Sequence, residues 1–428
     1  MSERFIKYRF LGRFLPNPSK RSLVVLTGAR QTGKTTLAKA TYPLLNYVNL
    51  DAPENREVLR NISTPSWAAT VRNAVIDEAQ KEPSVFEKVK YAFDMGTVTF
   101  TVLLGSSQIL LLKKVRESLA GRVGLYELWP LMMSEIDTHS GKTDWAVPLF
   151  DEVLTGPPLD EVLRRAVPAL LGEDEDARIR AENYLLKWGG MPALLSVEND
   201  EERWKWLRDY EYTYLERDLS DLARLDDLGP FTKFQRLSAL RSGQLLNYSE
   251  LARDASISVD TARRYLEYLR LSYQVILLQP YFRNLTSSVV KTPKLYWLDI
   301  GLLRQMSGRR EESGGEIYES LVVSEVVKWI RTAQRNAEVY FYRTRGGLEL
   351  DVLIGLEGGR YLGMEIKGRR TIVPKDIKPL KAVADALGKA WAGGMIVYRG
   401  DEIRKLADPS IWAVPSRRLF TRAETPSS

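Results

Sequence analysis

The distribution of apolar and polar positions divides the 428-residue chain into unlike stretches. In the first, short runs rich in Val, Leu and Ile alternate with amphipathic segments, the pattern of strands buried on both faces between helices. Ser22–Thr27 (SLVVLT), Tyr47–Leu50, Val71–Ile76 and Thr99–Leu104 are the predicted strands. Residues 151–240 place apolar side chains at three- and four-residue steps, in DEVLRRAVPALL and ERWKWLRDYEYTYLERDLSDLARL. They read as helices punctuated by Gly189-Gly190-Met191-Pro192. From Gly314 the predicted order is αβββαβ: helix Glu316–Ala333, strands Val339–Arg343, Leu350–Ile354 and Tyr361–Lys367, helix Lys375–Leu387, and a closing strand Met395–Tyr398.

The first stretch carries chemistry. The predicted strand Ser22–Thr27 runs directly into GARQTGKT and then a helical TLAKATY. Strand, G-x-x-x-x-G-K-T, helix is the context of a phosphate-binding loop. Gly28 and Gly33 let the backbone curl so that the amides of Gly28, Ala29, Arg30, Gln31, Thr32, Gly33, Lys34, Thr35 and Thr36 face a triphosphate. Lys34 is placed to reach the β- and γ-phosphates, and the Thr35 hydroxyl to ligate Mg²⁺. The strand Val71–Ile76 ends in Asp77-Glu78, at the sheet edge where doubly wound folds bind ligands. Asp77 would hold Mg²⁺ and Glu78 polarise the attacking water. Thr99–Leu104 ends in Gly105-Ser106-Ser107-Gln108, with Ser107 either sensing the γ-phosphate or making a polar turn. Arg122 is either an arginine finger for a neighbouring subunit's phosphate, or an ordinary salt bridge or helix-end arginine.

These motifs are not anonymous. GARQTGKTTL, VIDEAQ, LLGSS and SLAGR, in that order, resemble the archaeal and bacterial AAA-type ATPases that carry a C-terminal domain of unassigned function. The resemblance implies ATPase roles for Lys34, Asp77 and Glu78, with ATP and Mg²⁺ as ligands. It extends through Tyr214–Leu219 and the C-terminal stretches GEIYES, ELDVLI and MEIK. Arginine fingers act between subunits in related ATPases, so a homo-oligomer, ring or dimer, is expected.

In the middle, Trp204, Trp206, Tyr210 and Tyr214 form either a stacking platform for bases or, at helical spacing, inter-helix packing; packing is the preferred reading. LLNYSELARDASISVDTARRYLEYLRLSY (245–273) reads as a helix-turn-helix, with Ser249 capping Glu250–Ala255 and a second helix Asp260–Leu269. The pair VILLQPYF and KLYWLD is the expected wing. Thr261, Arg263, Arg264 and Tyr265 would face nucleic acid, most simply DNA, unless the unit serves as an ATPase lid or a dimer contact.

Charged residues inside the C-terminal apolar strands are costly unless paired or metal-bound. Glu365 and Lys367 share one strand face, about 6–7 Å apart along it. Asp351 and Glu365 could share Mg²⁺ or Mn²⁺ through their oxygens, Lys367 could orient a water, and Glu319 on the preceding helix completes the set. This D…E-x-K order resembles the restriction-endonuclease-like nuclease fold. Arg343, Arg345, Arg369 and Arg370, beside Gly346 and Gly347, would suit phosphate contact.

Composition narrows the rest. With no cysteine and one histidine, His139, thiolate sites and two-histidine chemistry are excluded. The formal charge of +7 fits a polyanion partner as well as a generally basic surface. No apolar run approaches the roughly 18 residues of a membrane span, and MSERFIKYRF lacks a signal-peptide core, so a cytoplasmic protein without membrane contact is expected. The expectation is an α/β chain: an AAA-type P-loop NTPase domain (1–150), a helical lid (151–240) with a winged-helix-like unit (241–310), a C-terminal α/β restriction-endonuclease-like domain (311–415) and a flexible polar tail (416–428). Its expected function is an Mg-dependent ATPase acting on DNA, with remodelling or metal-dependent phosphodiester cleavage. The alternative is an ATP-dependent motor or switch with a non-catalytic nuclease-like domain.

Overall fold

The computed structural model describes residues 7–105, 117, 119–137, 147–166, 173–214, 228–281, 292–310 and 314–422. The N-terminal part alternates strand and helix: β1 (Ser22–Thr27), α1 (Lys34–Thr41), β2 (Asn46–Asn49), α2 (Pro53–Asn61), α3 (Trp67–Thr70), β3 (Ala74–Asp77), α4 (Ser84–Asp94), β4 (Phe100–Leu104) and β5 (Val123–Glu127). All five strands run parallel, in the order β2-β3-β4-β1-β5. Alternation sends Leu23 and Val25 to one face, with Trp67, Ile76 and Phe86, and Val24 and Leu26 to the other, with Leu37 and Ala38 of α1. Val71 and Arg72, expected in a strand, lie before it. The Val71 amide closes α3 on Trp67 O at 2.8 Å, and Arg72 turns the chain at φ 61°.

The middle is helical: α5 (Met133–Asp137), α6 (Leu149–Thr155), α7 (Leu159–Arg165), α8 (Glu173–Trp188), α9 (Asp200–Tyr214) and α10 (Gly229–Leu240). Trp204 packs on Trp188 with ring centroids 5.0 Å apart, and Trp206 stacks on Tyr210 at 5.4 Å. Packing is therefore the use of these rings; the side chain of Tyr214 lies outside the described residues, as does His139. After β6 (Gln244–Leu245) come α11 (Tyr248–Ala255) and α12 (Val259–Leu271). The cap of α11 is Asn247, whose side chain accepts from Glu250 N, and Ser249 sits inside the helix; the extended backbone of Asn247 is what presents a cap. Ser256 makes the turn at φ 60°, and Ser258 caps α12.

The expected wing is corrected. β7 (Val275–Pro280) and β8 (Lys294–Trp297) pair antiparallel, but β7 also pairs parallel with β9 (Glu338–Arg343). All of β8 is buried. A hairpin this apolar is kept in a core rather than held out to solvent. One sheet of nine strands thus runs across the 310/311 boundary, in the order β13-β14-β12-β11-β10-β9-β7-β8-β6.

After α13 (Ile300–Ser307), the C-terminal part follows the expected order: α14 (Gly315–Thr332), β9, β10 (Glu349–Leu356), β11 (Arg360–Lys367), α15 (Pro374–Leu387) and β12 (Trp391–Tyr398). It continues into β13 (Arg404–Ala407), β14 (Ile411–Pro415) and α16 (Ser416–Leu419). The expected flexible tail (416–428) is corrected over residues 416–422, and residues 423–428 lie outside the described ones. Ser416, Arg417, Leu419, Phe420 and Thr421 are buried. Ser416 Oγ accepts from Tyr318 at 2.7 Å, Arg417 pairs with Glu175 and Asp401, and Phe420 packs on Phe150 at 5.4 Å. No helix among the described residues is long and apolar enough to cross a membrane.

Candidate nucleotide site and a second carboxylate cluster

The loop from β1 to α1 takes its shape from two glycines at positive φ, Gly28 at 146° and Gly33 at 95°. Gly28 has a second constraint, since a Cβ there would meet Leu128 O, just after β5, at 2.1 Å. Gln31 also adopts positive φ, and Thr32 Oγ1 donates to Ala29 O at 2.9 Å, fixing the curl. The Lys34 ammonium donates to Gly28 O at 3.0 Å and Ala29 O at 2.7 Å, so its charge lies over the loop. Thr35 and Thr36 follow at the start of α1, where helix amides face outward.

β3 lies two strands from β1, across β4, and its end delivers Asp77 to Thr35. Thr35 Oγ1 donates to Asp77 Oδ2 at 2.6 Å, and Asp77 Oδ1 accepts from Glu78 N at 2.9 Å. A hydroxyl and a carboxylate this close, both hard oxygen donors, fit Mg²⁺. Glu78 holds a left-handed backbone at φ 53°, a strained placement that keeps its carboxylate beside the site, and Gln80 Nε2 donates to it at 2.5 Å.

Three residues of this site carry no local sequence signal. Tyr47 of β2 donates its hydroxyl to Asp77 Oδ2 at 2.7 Å; burial and that bond raise its pKa well above a tyrosine's usual range. Arg9, buried, donates to Thr32 O and Trp129 O and pairs with Glu135 at 3.2 Å, bracing the loop from behind. Tyr273 donates to Glu127 Oε1 at 3.0 Å and packs on Trp129 at 5.1 Å. Ser107 lies outside the described residues. Arg122 is exposed and pairs with Asp94 at 2.7 Å.

In the C-terminal sheet, Val352 pairs with Met364, which sets Asp351 opposite Glu365 on one face. Asp351 Oδ2 accepts from Ile366 N at 2.8 Å, and Lys367 Nζ reaches Glu365 Oε1 at 2.6 Å. Glu319 Oε1 accepts from Tyr296 at 2.6 Å and from Lys294 Nζ at 3.4 Å. Burial raises the pKa of Glu319, Asp351 and Glu365, and the Asp351 charge pushes both glutamates further. The four predicted residues are therefore brought together. As placed, however, they do not fit a divalent ion: among the described residues no group of three or more carboxylate, imidazole or thiol side chains converges on a cation position. Ammonium groups neutralise the carboxylates instead. An Mg²⁺ or Mn²⁺ shared between Asp351 and Glu365 would have to displace the Lys367 ammonium from Glu365.

The residues expected to meet nucleic acid divide. Arg264 on α12 and Arg345 in the β9–β10 turn are exposed. Arg263 is exposed but lies 3.3 Å from Asp260 and over the Tyr248 ring. Thr261 shares a hydrogen bond with Ser258 Oγ, and Arg369 is taken up by Asp376. Tyr265 is a correction: it is buried between Phe231 and Phe234, because position 265 falls on the apolar stripe with Ala262 and Leu269.

Residues 20–137 match a family described as an AAA domain. Residues 180–313 match a domain of unknown function (DUF8612), and residues 314–419 a second one (DUF4143). Uncharacterized protein Mb2031c of Mycobacterium bovis and uncharacterized protein Rv2008c of Mycobacterium tuberculosis are each 29% identical over 409 residues, covering 93% of this chain and 81% of the relative. Among solved structures, the Walker-type ATPase paby2304 of Pyrococcus abyssi aligns with TM-score 0.40 and 15% identity over 69% of this chain and 94% of that one. The ADP form of the Aeropyrum pernix ORC2 protein aligns with TM-score 0.28 and 14% identity over 63% and 84%. In motif, strand order and family match, residues 20–137 carry the α/β P-loop fold of an AAA-type ATPase domain.

Proposed function

We propose that the protein binds ATP with Mg²⁺, hydrolyses it, and uses the cycle to act on nucleic acid. The 2.6 Å contact of Thr35 with Asp77, beside a glycine-shaped loop of amides, carries the first part. Mg²⁺ would supply charge neutralisation at the β- and γ-phosphates. The loop amides and Lys34 bind and orient the triphosphate, Asp77 and Thr35 set the metal's position, and Glu78, steadied by Gln80, orients the water. Arg122, released from Asp94, would serve a neighbouring copy in a homo-oligomer. The nucleic-acid part rests on the net charge of +7 and on exposed Arg264 and Arg345.

A second reading concerns the C-terminal part. The order helix Glu, strand Asp, strand E-x-K supports phosphodiester cleavage at Glu319, Asp351, Glu365 and Lys367. The ion pairs Lys367–Glu365 and Lys294–Glu319 favour a non-catalytic domain in an ATP-dependent motor or switch.

Turnover of ATP, with and without single-stranded, duplex and branched DNA, tests both. Lys34→Ala is expected to abolish nucleotide uptake. Glu78→Gln is expected to retain uptake and lose about 10²–10⁴-fold in turnover. Wild-type rate should rise with DNA and fall with salt. Calorimetry showing no ATP uptake would overturn the first part; a DNA-independent rate with no DNA binding would overturn the second. DNA cut in Mg²⁺ or Mn²⁺, and spared by Glu365→Ala, would favour cleavage over the switch.

A further inference from the structure

The carboxylate that would face the nucleotide's metal is held from a strand outside the loop motif. β2 lies at the edge of the five-stranded sheet and pairs parallel with β3, with Tyr47 beside Val75 and Asn49 beside Asp77. Alternation therefore puts Tyr47, Val75 and Asp77 on one face, the face that α1 covers with Leu37 and Ala38. The step from position 75 to position 77 is about 6–7 Å, a length that a phenol lying along the strand spans. Its hydroxyl donates to Asp77 Oδ2 at 2.7 Å, the oxygen that also accepts from Thr35 Oγ1 at 2.6 Å. On α1, Lys39 Nζ sits 3.8 Å from the centre of the Tyr47 ring and holds it in place.

Two features separate this from ordinary packing. A carboxylate oxygen offers two lone pairs, and Thr35 and Tyr47 take both of those on Asp77 Oδ2. Asp77 Oδ1 accepts from Glu78 N at 2.9 Å, so one lone pair on Oδ1 and the oxygen of Thr35 are what remain for a cation. In addition, packing against Val75 and Phe100 asks only for the ring, which a phenylalanine would supply. The hydroxyl is directed to Asp77 instead.

We propose that Tyr47 is a positioning residue for the nucleotide's metal: by occupying a lone pair of Asp77 Oδ2 it keeps that carboxylate from grasping the cation directly, and so selects an ion that retains its water shell. Mg²⁺ gives up its waters reluctantly and demands a near-octahedral shell, whereas Ca²⁺ takes carboxylates directly and often bidentate. An Asp77 pinned by two hydroxyls suits the first and withholds from the second the oxygen that a bidentate grip needs. Without the Tyr47 hydroxyl, Asp77 is free to turn and bind the ion itself. This inference rests on the reading that the loop binds ATP with a divalent cation, and it does not require hydrolysis.

Calorimetry on the full chain measures ATP affinity with Mg²⁺, with Ca²⁺ and in EDTA. Tyr47→Phe keeps the ring and removes the hydroxyl. It is expected to leave the EDTA affinity within about twofold of wild type, and to shift the ratio of Mg²⁺-supported to Ca²⁺-supported affinity toward Ca²⁺ by about threefold or more. An unchanged ratio overturns the proposal; an equal loss under all three conditions, the result of a mere packing role, is one form of it. If Tyr47→Phe does not fold, Lys39→Gln decides, since it frees the ring and keeps the hydroxyl: a shift of the ratio toward Ca²⁺ supports the proposal and an unchanged ratio overturns it. No ATP uptake by the wild type with either cation would overturn the nucleotide reading and this proposal with it. Wild-type uptake with an indifferent Tyr47→Phe overturns this proposal alone.

Discussion

Asp160 shows how a single carboxylate ties the helical middle to the C-terminal sheet. Sitting on α7, it accepts from Ser410 Oγ at 2.6 Å, Trp412 Nε1 at 2.7 Å and Lys405 Nζ at 3.1 Å. Ser410, then Trp412 and Lys405, hold its pKa down to about 2, from an ordinary 3.8. A carboxyl depressed on folding adds stability that is complete above its unfolded value and lost as pH falls toward the folded one. Asp160→Asn is therefore expected to lower the melting temperature at pH 7. The gap to wild type should narrow between about pH 4 and pH 2. Melts followed by tryptophan fluorescence check this; a gap independent of pH would refute it. At this scale, what the sequence disclosed was what a short window encodes. Gly28–Thr35 and Asp77-Glu78 were legible because one turn and one strand end fix them. Arg9, Tyr47 and Lys294 were not, because their partners lie 23, 30 and 25 residues away or more.

Elements were legible where one face repeats and obscure where an element is buried on every side. β1 ran as expected from Ser22 to Thr27, and α14, β10 and β11 fell within a residue or two of their expected ends, because alternation and helical period mark them. β8 was misassigned as a wing because four buried residues carry no face. The turn at Gly189–Pro192 was visible as punctuation, but not its purpose. Gly190 O accepts from Leu131 N at 2.7 Å, and Gly190 N donates to the buried Asp299 Oδ2 at 2.7 Å. A Cβ on Gly190 would meet Leu131 O at 2.3 Å. Leu131 N would lie at 2.8 Å as well, and these backbone atoms cannot yield cheaply. Gly190→Ala is expected to cost about 2–4 kcal/mol of stability, visible as a lower urea midpoint at unchanged slope. Stability within about 0.5 kcal/mol of wild type would mean that the turn relaxes freely.

At the scale of the whole molecule, the nucleotide loop is packed against the part that carries the second cluster. Ala29 of the loop shares an apolar contact group with Trp129, Tyr273 and Leu298. Leu298 is the residue after β8, and β8 carries Lys294 and Tyr296 to Glu319. Leu298 N in turn donates to Gln274 O at 2.9 Å, binding this junction to the end of the helix-turn-helix. Were the loop to tighten around a triphosphate, Leu298 would be the side chain it presses on, and the β7–β8 pair would be the route of any displacement. Hydrogen exchange on the full chain is expected to show ATP with Mg²⁺ slowing amides in residues 273–278 and 295–298 as well as in the loop itself. Leu298→Ala removes the contact and leaves the phosphate-binding amides in place. It should keep nucleotide affinity within about threefold while the remote protection disappears, since a truncated apolar contact outside the site withdraws coupling rather than binding. Protection confined to residues 28–36 and 77–80 in wild type would show that the loop and the strand move independently.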